Sequence, residues 1–100
     1  MAIDRIETLL RSRLPAFRGL GARVKFDFGA VGALLLDAVR TPPDLAHGDG
    51  PADCTIRMAP EHFERLLTGD LSPTLAYATG KLKVEGPMGL ALKLASLLED

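Results

Sequence analysis

The stretch GKLKVEGPMGLALKLASLL, residues 80–98, changes its hydrophobic period half way along. From Lys81 to Glu85 apolar and charged side chains alternate, Leu82 and Val84 on one side, Lys81, Lys83 and Glu85 on the other. That is the period of a half-buried β-strand, and lysines on its outer face suit an edge that must not aggregate. Gly86-Pro87 then opens a helix carrying Met88, Leu90, Ala91, Leu92, Leu94, Ala95, Leu97 and Leu98, with Lys93 and Ser96 as its polar residues. A helix apolar on almost every side needs partners on more than one face. A sheet supplies one; the others must meet a core, a partner protein, a membrane or an apolar ligand.

The same alternation recurs upstream. Val24, Phe26 and Phe28 oppose Arg23, Lys25 and Asp27, and Cys54, Ile56 and Met58 oppose Asp53, Thr55 and Arg57. Between them, Gly29-Ala30-Val31-Gly32 reads as a turn into a strand over Ala33–Arg40, where Leu34, Leu35 and Leu36 run together as in a buried, central strand. The proline-rich segment from Thr41 to Pro51 reads as loop, with Leu45-Ala46 as a short edge strand. Helical spacing links Ile3, Ile6, Leu10, Leu14 and Phe17, and Pro15 ends that helix. A second helix starts at Pro60, buries Phe63, Leu66 and Leu67, and stops at Gly69. Ser72 caps a third that begins at Pro73 and closes at Gly80. Strands with one apolar and one charged face predict an α+β domain: a five-stranded, mixed, mostly antiparallel sheet covered on one face by about four helices. The two-helix connection from Met58 to Lys81 is long enough for a right-handed crossover returning the last strand parallel.

The chain has 100 residues, 47% hydrophobic and 25% charged, with a formal net charge of −1. At this length roughly 60–70% of the unfolded surface is buried on folding, enough for one modest core, so residues 1–100 are expected to form a single domain. The charge balance offers no basic footprint for nucleic acid. One cysteine forms no internal disulfide and suits a reducing compartment. The mixed charges of Met1 to Glu7 do not read as a signal peptide, the block from Val31 to Leu36 is far short of the ~20 residues that span a bilayer, and Leu98-Glu99-Asp100 is not a peroxisomal address. The expected location is cytoplasmic.

No constellation for chemistry stands out. His47 and His62 lack metal-ligand spacing and read as solvated; Cys54 points inward, where a thiol is inert. Asp53, Glu61 and Glu64 form no paired-acid arrangement, and Gly86-Pro87-Met88-Gly89 lacks the spacing and lysine of a phosphate loop. The chain is therefore not expected to be an enzyme, and neither cofactor nor metal is expected. A lining of leucine and alanine with five aromatics and no tryptophan suits acyl chains or isoprenoids.

From Ala52 onward the chain resembles the sterol carrier protein type-two family of sterol-transfer domains, in particular its small stand-alone bacterial members. The resemblance lies in Ala52-Asp53-Cys54-Thr55-Ile56, in Leu67-Thr68-Gly69 with Leu71-Ser72-Pro73, in Gly80 to Gly86, and in Met88-Gly89-Leu90-Ala91-Leu92-Lys93-Leu94. It implies a sheet and helices enclosing a hydrophobic tunnel, and non-enzymatic binding and transfer of a fatty acid, acyl-CoA, phospholipid, isoprenoid or sterol. Carried over, the tunnel positions are Phe26, Leu34, Leu36, Ile56, Met58, Leu67, Leu71, Tyr77, Met88, Leu92 and Leu94. Two stretches depart from the family pattern: Pro87 replaces a polar residue, and Tyr77-Ala78-Thr79 replaces an aromatic pair and a glutamine. The expected partners are a lipid, a transient membrane contact and a lipid- or quinone-metabolism enzyme, with the chain a monomer or weak dimer. The alternative reading is an interaction module, or accessory factor, for such an enzyme, docking through the last helix.

Overall fold

The alternation around Val24 and Phe26 folds as β1 (Arg23–Asp27), the central strand of a five-stranded sheet, in a computed structural model that describes residues 2–48 and 50–99. The other strands are β2 (Ala33–Asp37), β3 (Asp44–His47), β4 (Cys54–Met58) and β5 (Leu82–Glu85), in the order β3-β2-β1-β4-β5. β1–β2, β2–β3 and β4–β5 are antiparallel, and β1 pairs with β4 in parallel. The mixed, mostly antiparallel sheet expected from the sequence is present.

Two expectations about its strands are corrected. The last strand does not return parallel to β4: Met58 pairs with Leu82 and Thr55 with Glu85, so the connection leaves and re-enters the sheet at the same end. Two helices in succession carry the chain out and back, whereas one would have delivered it to the far end. β2 is an inner strand, flanked by β3 and β1 and with no exposed residue, but it ends at Asp37, short of the expected Arg40. Leu34 and Leu36 are buried, but Leu35 faces the other side, where Gly50 of the proline-rich loop lies so close that a Cβ there would stand 3.3 Å from Leu35 Cδ2. A loop, not a second layer of structure, explains the third leucine of the run.

The charged face carries cross-strand ion pairs. Arg23 meets Asp37 at 3.6 Å, and Arg57 lies between Asp27 at 3.4 Å and Glu85 at 2.7 Å. Such exposed pairs contribute little stability, but they match the register that the buried face imposes.

Four α-helices cover the other face: α1 (Ala2–Arg13), α2 (Pro60–Thr68), α3 (Pro73–Ala78) and α4 (Met88–Glu99). Pro15 ends α1 as expected, and the chain continues as a 3₁₀ turn over Leu14–Phe17. Gly69 adopts φ 88° at the end of α2, and the Ser72 hydroxyl accepts from the Leu75 amide at the start of α3. Ile6, Leu10, Phe17, Phe26, Leu34, Leu36, Phe63, Leu66 and Leu94 fill the core, with the Phe63 ring 5.0 Å from Phe26 and 5.3 Å from Phe28. No helix among the described residues is long and apolar enough to cross a membrane. The sequence readings at Met1 and Asp100 lie outside the described residues.

Candidate functional site

β5 sends Leu82 and Val84 toward the helices, and Ile56 stands opposite Val84 on β4. Above them α3 contributes Pro73, Thr74 and Tyr77. From α4 come Met88, Ala91, Leu92, Leu94, Ala95 and Leu98. The three- and four-residue steps of that last set put them on one helical face. Together these side chains line an apolar cleft of about 100 Å³. Apart from the hydroxyls of Thr74 and Tyr77, no lining side chain is polar, and none is charged.

The walls are positioned from outside the cleft. Gly86 turns the chain from β5 into α4 with φ 126°, and a Cβ there would stand 2.8 Å from the Asp53 carbonyl oxygen. Only glycine lets the two backbones approach so closely. At the other end of α4, Arg13 donates to the Leu98 carbonyl at 3.2 Å and to the Leu67 carbonyl at 2.5 Å, tying together the C-terminal ends of α1, α2 and α4. Midway along α4 the Lys93 ammonium donates to the Gly19 carbonyl at 3.2 Å. α4 is therefore fastened along its middle and far end, while Met88 at its start is 45% exposed and Leu92, one turn on, is 65% exposed.

Of the residues expected to line a tunnel, Ile56, Tyr77, Met88, Leu92 and Leu94 come together here. Phe26, Leu34, Leu36, Met58, Leu67 and Leu71 lie in the buried core and do not line the cleft. The structure shows an open cleft here in place of the expected tunnel, with Tyr77 half exposed among its lining residues. Pro73, Thr74, Leu82, Val84, Ala91, Ala95 and Leu98 are not among the expected positions; Pro73 and Thr74 carry no periodic signal. For the residues of β5 and α4 the signals are present, in the inward phase of the strand and in the helical steps from Met88 and Leu94.

The polar candidates lie elsewhere. His47 is not simply solvated: its Nε2 meets Glu7 Oε1 at 2.5 Å, and Arg11 holds the other Glu7 oxygen at 2.8 Å while donating to the Leu45 carbonyl. The Arg11 hydrogen bonds, then the one from His47, hold the Glu7 carboxyl below its ordinary range. Burial, with Asp53 nearby, pushes the Cys54 thiol up, away from reactive thiolate. Asp53 accepts the Arg23 amide at 2.9 Å and Glu64 pairs with Arg5 at 2.9 Å, both structural roles.

Comparison with known proteins agrees with this architecture. Sterol carrier protein 2 of Homo sapiens is 51% identical over 53 residues, which make up 53% of this chain and 10% of that protein. Hydroxysteroid dehydrogenase-like protein 2 of Rattus norvegicus is 38% identical over 69 residues, 67% of this chain and 13% of that protein. The chain thus spans about a tenth of the length of these relatives. Among solved structures, Sterol Carrier Protein 2 Like 2 from Aedes aegypti superposes with a TM-score of 0.74 at 18% identity, covering 91% of this chain and 94% of that one. Sterol Carrier Protein-2 from Aedes aegypti, in complex with palmitate, superposes at 0.71 with 25% identity, covering 97% and 90%. The model of the SCP-2 sterol transfer family matches residues 3–99, and with the five-stranded sheet and its helical cover in place, the chain belongs to that family.

Proposed function

We propose that this chain binds the hydrocarbon tail of a long-chain lipid in the cleft between α3, α4 and β5, and carries it chemically unchanged. One observation carries the reading: the cleft walls are apolar except for two hydroxyls at Thr74 and Tyr77. A charged headgroup placed among them would lose its hydration without a partner, so it stays at the mouth while the tail enters. The palmitate complex of the Aedes aegypti relative supports a fatty acid as one such ligand. Residues 1–100 act as one lipid-binding domain in this reading, and no catalytic step is assigned to it.

Magnitudes fit. Burying a sixteen-carbon tail yields on the order of 12 kcal/mol at ~0.8 kcal/mol per methylene. Lost ligand freedom and side-chain ordering remove roughly half or more of that. About 6 kcal/mol or less remains, which corresponds to binding of roughly tens of micromolar or weaker, since 1 μM corresponds to about 8 kcal/mol.

The cleft must also widen. Its 100 Å³ is less than the ~150 Å³ of an engineered cavity that takes up benzene. Holding open several hundred Å³ without a guest would cost, at ~24 cal/mol per Å³, as much as the whole stability of a small domain. The guest therefore makes its own room.

Native mass spectrometry of the purified protein, with displacement of a fluorescent fatty acid, tests the reading. One bound lipid per chain is expected. Failure to take up any acyl or isoprenoid probe would overturn it.

A further inference from the structure

Arg57 stands directly opposite Lys83 in the antiparallel pairing of β4 with β5, and beside Asp27 in the parallel pairing of β1 with β4. Two cations thus face each other across one strand pair, on the side of the sheet turned away from the helices. Like charges in that position destabilise a strand pair. Lys81 brings a third cation to the same place.

These three side chains, with Asp27 and Gly80, line an open hollow of about 390 Å³. That lies within the ~300–1,000 Å³ of small-molecule sites. The one acid in the lining is already committed: Asp27 accepts from the Gly29 amide at 2.9 Å and pairs with Arg57 at 3.4 Å. Glu85 holds Arg57 at 2.7 Å from outside the lining. Lys81 and Lys83 are exposed, and their ammonium groups have neither a hydrogen bond nor an ion pair with a described residue. A chain whose net charge is −1 therefore gathers three cations against one acid here.

We propose that this hollow binds the phosphate of a soluble, phosphate-bearing small molecule, as a second site independent of the lipid-binding reading. An anion seated among Arg57, Lys81 and Lys83 turns a repulsive arrangement into an attractive one, and it engages two ammonium groups that no carboxylate of the chain uses. Charge-assisted hydrogen bonds of this kind are the strong ones, and a phosphate has acceptors enough for all three cations. The sheet separates the hollow from the cleft. On β4 and β5, Arg57 and Lys83 line the hollow while Ile56, Leu82 and Val84, in the opposite phase of the strands, line the cleft. A lipid with its tail in the cleft would have to reach around the sheet to place its headgroup there, so the phosphate belongs to a separate molecule. Exposed side chains make the attachment weak and salt-sensitive.

Titration of isotope-labelled protein with inorganic pyrophosphate, followed by NMR against sodium chloride at matched ionic strength, tests the site. Saturable shifts are expected at Arg57 and from Gly80 to Lys83, with binding roughly tenfold weaker after Lys81→Gln with Lys83→Gln, the scale of two exposed charge pairs. Saturating pyrophosphate is also expected to raise the urea midpoint of wild type more than that of the double variant. No saturable shift, an equal response to chloride, or a double variant that binds and is stabilised like wild type would each overturn the proposal. So would competition between pyrophosphate and a fluorescent fatty acid, which would place the phosphate at the cleft as a lipid headgroup. Pyrophosphate binding by a chain that takes up no fatty acid would uphold the hollow and overturn the cleft.

Discussion

Arg13 Nη1 donates to the Leu98 carbonyl oxygen at 3.2 Å, so the last turn of α4 is held by a residue at the end of α1. The carbonyls at a helix C-terminus have no partner within the helix, and a guanidinium there both satisfies them and opposes the helix dipole. Arg13→Met should remove this tie and the one to Leu67, lowering unfolding free energy by roughly 2 kcal/mol, in the range for hydrogen bonds to charged groups. Urea denaturation measures it. Loss of less than about 0.5 kcal/mol, the usual scale of a neutral surface change, would show that the clamp is not holding α4.

Leu92 and Leu94 both line the cleft, but Leu92 is exposed at its mouth whereas Leu94 is also packed into the core. Leu92 is 65% exposed and lines the cleft, so Leu92→Asp should leave the melting temperature close to wild type while weakening fatty-acid uptake, because the tail would have to cover a carboxylate in place of apolar surface. Leu94 is 1% exposed, and Leu94→Ala should cost about 2–5 kcal/mol. A folded Leu92→Asp chain that takes up the probe like wild type would put the ligand elsewhere.

Gly86 is the tightest backbone position on the route into α4. With φ 126° and a would-be Cβ 2.8 Å from the Asp53 carbonyl, Gly86→Ala should destabilise by at least ~1–3 kcal/mol. The measured quantity is the urea midpoint against wild type. An unchanged midpoint would mean that β5 and β4 part there without loss.

Glu7 gives the stability a pH dependence. Its folded pKa lies below the ordinary value of 4.5, chiefly through Arg11 and then His47, so the stabilisation is present above that value and is lost as pH falls through the lower, folded pKa. The advantage of wild type over Glu7→Gln should therefore be present at about pH 5 and shrink on acidification below that. Urea midpoints at several pH values for both chains check this; a gap that widens toward acid would reverse the assignment.

Much of the architecture follows from local pattern. The alternations at Val24–Phe26, Cys54–Met58 and Leu82–Val84, the glycine after α2 and the serine before α3 each act within a few residues, and each appears in the structure where the sequence places it. The excess of apolar residues on α4 likewise points to an unsatisfied face. The direction of β5 does not follow from local pattern, because it depends on how many times the α2–α3 connection crosses the sheet. The same limit applies to the site: periodicity marks Phe26, Leu34, Leu67 and Leu92 alike as inward or apolar.

By itself, then, the sequence determined which residues are apolar on which face, where elements start and stop, and that one helix carries more grease than a sheet can cover. Only tertiary structure decided that Leu34 and Leu67 are sealed in the core while Leu92 is 65% exposed at an opening. Burial of a side chain depends on what packs against it from distant parts of the chain. Here that packing includes the close approach of Gly86 to Asp53 and Arg13 fastening the end of α4.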